Sequence, residues 1–214
     1  MTRRFDAVLF DFGGVMVSSP FDLAGRAGAK AGVDPAVVLE LMMGDYTADT
    51  DHPWHRLERG EIGISEYAVG LMTRCQEAGV DLDFSAMKSF YGQLTVHQPM
   101  VDAVRRLKQD GYRTGLLTNN VKEAGGEWRT KLPLDELFDA VVDSCEVGMR
   151  KPNPAIYHLA LDRLGRVEPE RAIFLDDAPG NVAGAEQAGL TAILVGDPVE
   201  AVTQLDGLLG HGHD

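Results

Sequence analysis

A short apolar run that ends on a carboxylate constrains the fold of this chain more than any other feature. Residues 7–14 read AVLFDFGG, so four apolar residues lead directly into Asp11, and two glycines follow at positions 13 and 14. An unbroken apolar run of this length, bounded by turn residues, predicts a strand that is buried on both faces of a parallel sheet. In open α/β folds, ligands bind at the carboxyl ends of such strands.

The same pattern returns later in the chain. Further apolar runs begin at Arg113, Asp139, Arg171 and Thr191. Between them lie helical patterns that begin at Pro99, Pro154 and Ala178, and each of them ends on a glycine. Strands that alternate with helices predict an α/β fold with a Rossmann-like, doubly wound parallel sheet.

Residues 17–92 interrupt this alternation. They contain four short helical patterns and no clear strand; the patterns begin at Phe21, Asp34, Pro53 and Ser65. A helical insertion directly after the first strand would lie over the carboxyl end of that strand. We therefore predict a helical cap over residues 17–92 and an α/β core formed by residues 1–16 and 93–214. A lobe that only adds stability is the alternative, and the position of the insertion favours the cap.

The composition limits the partners of the chain. Its 214 residues carry a formal net charge of −13, which disfavours nucleic acid and anionic membranes. The two cysteines have no metal-like spacing and indicate reduced thiols. The first residues are too charged for a signal peptide, and no apolar segment approaches the length of a membrane span. We predict a cytoplasmic protein; its oligomeric state is not indicated.

Polar residues follow the predicted strands at their carboxyl ends. They are Asp11, Thr118, Asn119, Lys151, Asp176 and Asp177. Each alone is common as a turn residue or a helix cap, but turns do not explain their arrival at successive strand ends. Crowded carboxylates repel one another and need a cation, and hard oxygen donors without His or Cys suit Mg²⁺.

The same edge has groups that suit a phosphate. The Thr118 hydroxyl and the backbone N–H groups of Asn119 and Asn120, which precede a predicted helix, would form an anion site. Lys151 adds a positive charge. Asp11 can act as a nucleophile, because an aspartate can form an aspartyl-phosphate. These residues together suit Mg²⁺ and a phosphate at one edge of the sheet, with Asp11 as a candidate nucleophile.

Four motifs in this order resemble the haloacid dehalogenase-like hydrolase superfamily. They are DFGGV, LLTNN, GMRKPNPAIY and FLDDAPGNVAGA, and together they cover essentially the whole chain. The later motifs and the segment HRLERGEIGISEY are most similar to the phosphatase domain of soluble epoxide hydrolases and to bacterial glucose-1-phosphate phosphatases. The resemblance implies a Mg²⁺-dependent phosphohydrolase with an α/β core and a helical cap.

The resemblance also implies roles for individual residues. Asp11 would be the nucleophile, and it would hold Mg²⁺ together with the backbone carbonyl of Gly13 and with Asp177. Asp176 would lie close to the metal, and Asn181 would support the acidic pair. The residues implied to bind the transferring phosphoryl group are Thr118, Asn119 and the catalytic Lys151.

Gly13 departs from the pattern of the superfamily's phosphatases. Most of them have an Asp here, which protonates the leaving oxygen and then activates water. A positioned general acid–base is worth roughly 10²–10⁴-fold in rate, or about 3–5 kcal/mol of barrier. We therefore expect a slow phosphatase, a preference for good leaving groups, or a replacement group from the cap. The candidates are His52, His55 and Glu61, although a surface role is the more common one for such residues.

Two other functions stay open. The 2-haloacid dehalogenases also lack the second Asp, but they do not need Mg²⁺, so Asp176 and Asp177 would have no purpose. A non-catalytic protein that binds a phosphorylated ligand or a partner would not need Asp11 and Lys151 together with the acidic pair. The sequence does not decide between sugar phosphates, lipid phosphates and nucleotides as substrates.

Overall fold

The central sheet has five parallel strands within the residues that this computed structural model describes, which are 3–19, 32–81, 94–124 and 126–210. The strands are β1 (Ala7–Phe10), β2 (Arg113–Thr118), β3 (Ala140–Asp143), β4 (Ala172–Asp176) and β5 (Thr191–Leu194). Their order is β3-β2-β1-β4-β5, and β1 pairs with β2 on one side and β4 on the other. The predicted parallel α/β sheet is confirmed, and the strand that leads into Asp11 is its centre.

The side chains of β1 alternate between two apolar layers. Val8 and Phe10 belong to one layer, and Ala7 and Leu9 belong to the other. All four have no exposed surface. Because successive strand residues point to opposite faces, a strand that is covered on both sides must be apolar at every position. This burial explains why the run AVLF is unbroken.

Helices surround the sheet, and several of them begin with a proline at their first position. They are α1 (Pro35–Met43), α2 (Pro53–Glu58), α3 (Ile64–Glu77), α4 (Gln98–Gln109), α5 (Leu134–Leu137), α6 (Ser144–Val147), α7 (Pro154–Arg163), α8 (Pro179–Gln187) and α9 (Pro198–Leu209). Proline suits this position because the first N–H of a helix has no partner within the helix. The side chains of Asp34, Asn153 and Asp197 cap α1, α7 and α9 by accepting backbone N–H bonds.

The helices cover the two faces of the sheet. Helices α4 and α9 contribute to the apolar layer of Val8 and Phe10, and α7 and α8 contribute to the layer of Ala7 and Leu9. The helices predicted from Pro99, Pro154 and Ala178 are confirmed as α4, α7 and α8. In the described part of the chain, no helix has both the length and the apolar character that crossing a bilayer requires.

One local prediction is wrong. The helix predicted after Asn120 is absent from the described residues, and the chain forms only a three-residue 3₁₀ turn there, Lys122–Ala124. Two glycines follow at positions 125 and 126 in the sequence, and glycine in a helix costs about 1 kcal/mol relative to alanine. The end of β2 therefore leads into a loop.

Residues 32–81, called here the helical segment, contain α1, α2 and α3, and they form no strand. The helical patterns from Asp34, Pro53 and Ser65 are confirmed, whereas the pattern from Phe21 and residues 82–92 lie outside the described residues. Leu57 and Leu71 of this segment share an apolar cluster with Phe10. The domain boundaries of the predicted cap and core stay a prediction.

The central strand provides a test of this packing. Phe10→Ala should lower the free energy of unfolding by about 3–5 kcal/mol, because it leaves a cavity in a fully buried layer. The surface control Leu194→Ala, at a side chain that is 50% exposed on β5, should stay within about 0.5 kcal/mol. Denaturant unfolding measures both variants, and equal small losses would contradict the burial of β1.

Candidate active site

The carboxyl ends of β1 and β4 bring three carboxyl groups together. Asp11 follows β1, Asp176 ends β4, and Asp177 comes next. The two strands are neighbours with Phe10 opposite Leu175, so the residues after them meet at one edge of the sheet. One oxygen from each carboxyl group lies within 4.8 Å of the other two. The structure thus places the three predicted acidic residues in a single cluster.

The ammonium group of Lys151 lies between two of these carboxylates. Its Nζ is 2.8 Å from Asp11 Oδ1 and donates a 2.6 Å hydrogen bond to Asp176 Oδ2. The lysine has no exposed surface. Burial alone would lower the pKa of Lys151, but Asp11 and Asp176 outweigh it and raise the pKa. The side chain therefore holds a fixed positive charge beside Asp11.

The cluster has more negative than positive groups. Burial raises the pKa of Asp11 well above its usual value, and Asp176 and Asp177 add to this while Lys151 opposes it. Burial, followed by the charge of Asp176, raises the pKa of Asp177 to about 6. Three carboxyl groups face one ammonium group, and such crowding is relieved by a further cation.

The donor atoms of this cluster fit Mg²⁺. They are carboxylate oxygens, with no His or Cys in the cluster of described residues. Mg²⁺ favours hard oxygen donors, and it usually takes one or two carboxylates while keeping positions for water and phosphate. Asp177 also accepts a 2.7 Å hydrogen bond from Ser19 Oγ, a contact that no sequence pattern indicated.

The oxygens of Asp176 are already occupied by protein donors. They accept hydrogen bonds from the backbone N–H of Ala178 at 2.8 Å and from Asn181 Nδ2 at 3.0 and 3.1 Å, in addition to the Lys151 bond. Asp11 and Asp177 therefore have more free ligand capacity than Asp176. Asn181 supports the acidic pair by holding Asp176.

Gly14 allows Asp177 to approach the loop after β1. Its φ angle is +74°, in the left-handed region that favours glycine, and an added Cβ would overlap the Asp177 carboxylate. Sequence reasoning concentrated on Gly13 and missed this neighbour. The two consecutive glycines at positions 13 and 14 were the sequence feature that could have indicated this close approach.

Thr118 and Asn119 lie at the end of β2, beside the loop of Lys151. Thr118 is buried, and its hydroxyl makes a long 3.4 Å contact with the carbonyl oxygen of Asn119. Asn119 Oδ1 accepts from the backbone N–H of Lys151 at 2.8 Å, and its Nδ2 donates to the Lys151 carbonyl at 3.1 Å. The side chain of Asn119 therefore holds the backbone of the lysine.

The predicted anion site is wrong in one of its donors. The backbone N–H of Asn120 donates to Ser144 Oγ at 2.9 Å, so it is not directed at a bound anion. Ser144 begins α6 directly after β3, and the sheet places it beside the end of β2. A side chain that directly follows the neighbouring strand thus accepts the hydrogen bond that the sequence pattern assigned to an anion.

The pKa values of all three candidate replacement acids are lowered in the folded protein. His55 is fully buried, and burial together with Arg150 lowers its pKa to about 3. Burial also lowers the pKa of His52. Glu61 is exposed, and its hydrogen bond from Arg59 lowers the pKa of its carboxyl group. The buried His55 is therefore not an acid suited to neutral pH.

A buried ion pair next to the cluster was missed by the sequence analysis. Arg150 Nε donates to Glu58 Oε2 at 2.7 Å, and both residues are buried. Arg150 precedes Lys151 in the motif GMRKPNP, so the sequence indicated that Arg150 lies near the site but not that it forms an ion pair. Its partner is 92 positions away, and nothing in the local sequence indicates it.

This chain is similar to a known family of hydrolases and to several known proteins. A family model described as haloacid dehalogenase-like hydrolase matches residues 5–189. Acyl-CoA dehydrogenase family member 10 of Mus musculus is 36% identical over 215 residues, which are 97% of this chain and 19% of that protein. Bifunctional epoxide hydrolase 2 of Mus musculus is 31% identical over 219 residues, which are 94% of this chain and 38% of that protein. This chain therefore spans less than half the length of either relative.

A phosphatase and two solved structures are also similar. Glyceraldehyde 3-phosphate phosphatase of Methanothermobacter thermautotrophicus is 40% identical over 90 residues, 42% of this chain and 39% of that protein. A HAD-family enzyme of Bacteroides thetaiotaomicron, solved with magnesium and inorganic phosphate, has a TM-score of 0.61 at 20% identity and covers 90% of this chain and 96% of its own. A dehalogenase structure with an intermediate complex has a TM-score of 0.69 at 19% identity and covers 98% and 99%. At these identities the two structures show the fold alone.

The buried His55 predicts a pH-dependent stability. Its pKa of about 3 in the folded protein lies below the unfolded value of about 6.5, so the folded state favours the neutral imidazole. The associated stability is fully present above about pH 6.5 and is lost as the pH falls towards 3, by as much as about 1.4 kcal/mol per pH unit.

Unfolding free energies measured between pH 7 and pH 4 test this expectation. His55→Gln should make the decline shallower than in the wild type, because the titrating group is gone. The exposed His158→Gln should keep the wild-type slope. Equal slopes for all three proteins would contradict the buried, neutral His55.

Proposed function

This chain belongs to the haloacid dehalogenase-like hydrolase family, and we propose that it is a Mg²⁺-dependent phosphohydrolase of a small phosphorylated metabolite. The observation that carries the proposal is the buried Lys151 ammonium between Asp11 and Asp176, with Asp177 completing the carboxyl cluster. The phosphatase relative and the fold neighbour solved with magnesium and phosphate support it. A phosphoryl group is anionic and its transfer requires positive charge, which Lys151 and a bound Mg²⁺ would supply together.

Asp11 is proposed to act as the nucleophile. One carboxylate oxygen forms a bond to phosphorus while the bond from phosphorus to the leaving oxygen breaks, which gives an aspartyl-phosphate. A water molecule then attacks phosphorus, so that inorganic phosphate leaves and the Asp11 carboxylate is restored. The two steps balance as hydrolysis of a phosphoric monoester.

The other residues of the cluster bind and orient. Asp11, the backbone carbonyl of Gly13 and Asp177 would hold Mg²⁺, with Asp176 beside them, and the bound ion supplies positive charge to the phosphoryl oxygens. Lys151 supplies a second positive charge from the protein. Thr118 and Asn119 are proposed to complete the phosphate site from the end of β2, and Asn119 also fixes the lysine backbone.

The position of Gly13 determines which substrates suit this site. A leaving oxygen that departs without protonation must be stable as an anion, and Gly13 has no side chain to donate a proton. The pKa values of His52, His55 and Glu61 are all lowered, that of His55 to about 3. We therefore propose a preference for phosphate esters with good leaving groups and slow turnover of simple alkyl phosphates.

A 2-haloacid dehalogenase is the second candidate, and Gly13 is the observation that favours it. The acidic cluster favours the phosphatase, because a dehalogenase needs no metal and would place three carboxyl groups together without a cation to relieve their repulsion.

We also propose a reducing, cytoplasmic setting, since Cys75 and Cys145 are buried and unpaired.

Removal of the nucleophile tests the proposed reaction. Wild-type protein should hydrolyse p-nitrophenyl phosphate in the presence of Mg²⁺, and the rate should fall to background with EDTA. Asp11→Asn should lower kcat by at least about 10³-fold, because an amide cannot form the aspartyl-phosphate. The exposed control Asp162→Asn should keep wild-type activity. No Mg²⁺-dependent turnover on a phosphate panel, or halide release from 2-chloropropionate, would refute the phosphatase.

Restoring the missing acid tests the role of Gly13. The backbone at Gly13 is not among the positive-φ glycines, so a side chain can be introduced there without left-handed strain. Gly13→Asp should raise kcat for glycerol phosphate by up to about 10²–10⁴-fold, and should change kcat for p-nitrophenyl phosphate much less. Gly13→Asn has the same size without the acid and should not show this selectivity. Equal or reduced rates for both substrates would contradict the expected consequence of the glycine.

A further inference from the structure

Three side chains outside the proposed chemistry connect the helical segment to the loop of Lys151. Tyr46 lies between α1 and α2, Glu58 ends α2, and Arg150 precedes the lysine. Glu58 is 2% exposed and Arg150 is fully buried. Buried charges are costly unless they are closely paired, so their arrangement is expected to be tightly defined.

These three residues form one polar unit, called here the Tyr46–Glu58–Arg150 network. Tyr46 Oη donates to Glu58 Oε1 at 2.7 Å, and Arg150 Nε donates to Glu58 Oε2 at 2.7 Å. The guanidinium also lies over the Tyr46 ring, 4.8 Å from its centroid, and Arg150 Nη1 donates to the carbonyl of Ala48 at 2.9 Å. Both carboxylate oxygens of Glu58 thus accept hydrogen bonds, and Arg150 is hydrogen-bonded to the backbone of the helical segment.

The network reaches Lys151 by two routes. Arg150 is joined to the lysine by a peptide bond. Asn119 Nδ2 donates to Tyr46 Oη at 3.4 Å, and the same side chain holds the N–H and the carbonyl of Lys151 at 2.8 and 3.1 Å. A displacement of Tyr46 or Glu58 would therefore be transmitted to the lysine that contacts Asp11.

Close packing brings Tyr46 to this position. Gly180, in the first turn of α8, faces the backbone of the Tyr46 segment, and an added Cβ would lie 2.8 Å from the Tyr46 carbonyl oxygen and 2.6 Å from Thr47 Cα. Helix α8 begins two residues after Asp177. The helical segment is thus packed against both the lysine loop and the helix that follows Asp177.

We propose that Tyr46, Glu58 and Arg150 are positioning residues that couple the placement of the helical segment to the orientation of Lys151. They act through Asn119 and the Arg150–Lys151 peptide, not by proton transfer. Tyr46 is unsuited to acid catalysis, because burial and the charge of Glu58 raise its pKa well above the usual value and its proton is directed at Glu58. The kinetic consequence rests on the proposed function, whereas the structural consequence does not.

Chemical labelling of Lys151 tests the coupling without any need for turnover. Acetic anhydride acylates accessible amines, and peptide mass spectrometry gives the rate at each lysine. Tyr46→Phe removes the hydroxyl from the network and should raise the labelling rate of Lys151 about tenfold, the order expected from losing a buried hydrogen bond. Tyr67→Phe is the matched control, because it removes another buried tyrosine hydroxyl of the helical segment, whose 2.7 Å bond goes to the Met42 carbonyl. It should leave Lys151 labelling unchanged.

Kinetics with p-nitrophenyl phosphate give the second readout. Tyr46→Phe should lower kcat about tenfold with little change in KM, and Tyr67→Phe should change neither. If Tyr46 acts through Asn119, the double variant Tyr46→Phe/Asn119→Ala should have the kcat of Asn119→Ala alone, because contacting residues in one network are non-additive. Multiplicative losses would show that Tyr46 does not act through Asn119.

The outcomes separate this inference from the proposed function. Faster labelling of Lys151 in Tyr46→Phe, with no turnover in the wild type, would refute the phosphatase and support the coupling. Equal labelling of Lys151 in Tyr46→Phe and Tyr67→Phe would overturn the coupling, whatever the activity of the wild type.

Discussion

The contact of Lys151 with Asp11 and Asp176 is the interaction on which the rest of the site depends. A buried ammonium group is costly unless it is paired closely, so the two carboxylates must be held at fixed positions around it. The sheet supplies these positions, because β1 and β4 are hydrogen-bonded neighbours whose carboxyl ends carry the two acids. Asn119 at the end of β2 fixes the backbone of the lysine between them. This charged contact therefore requires β2, β1, β4 and the loop after α6 to be held in fixed positions relative to one another.

Under the proposed function, the same contact explains why the cluster would need a further cation to suit an anionic substrate. Lys151 balances one of three carboxyl groups, and the remaining crowding, together with burial, raises the pKa values of Asp11 and Asp177. A divalent ion would remove that imbalance and leave Lys151 to face the substrate. A phosphoryl group brings negative charge of its own, so both cations have a use in phosphoryl transfer. Halide displacement from carbon gives no comparable reason for three carboxyl groups at one edge.

The parts of the site that could be predicted from the sequence are those set by local pattern. Unbroken apolar runs identified the buried strands, and polar residues at their ends, such as Asp11 and Asp176, follow from the rule that parallel strands present one common edge. The missed contacts depend on tertiary placement. Tyr46 is 73 positions from Asn119, and Glu58 is 92 positions from Arg150, so no window of sequence contains both members of either pair. The Asn120 donor was misassigned for the same reason, because Ser144 directly follows the neighbouring strand β3 and lies 24 positions away.

Gly13 and the Tyr46–Glu58–Arg150 network together suggest that catalysis in this chain would depend on charge stabilisation more than on proton transfer. A site without a positioned acid depends more heavily on charge stabilisation, since that is the contribution left to offset the developing negative charge. Charge stabilisation depends on distance, and Lys151 is held close to Asp11 only while its loop is fixed. In the proposed coupling, the helical segment fixes that loop through a buried ion pair and a tyrosine, and the pKa values of its candidate acids His52, His55 and Glu61 are all lowered. On this view the segment contributes to the reaction by placing a cation rather than by moving a proton.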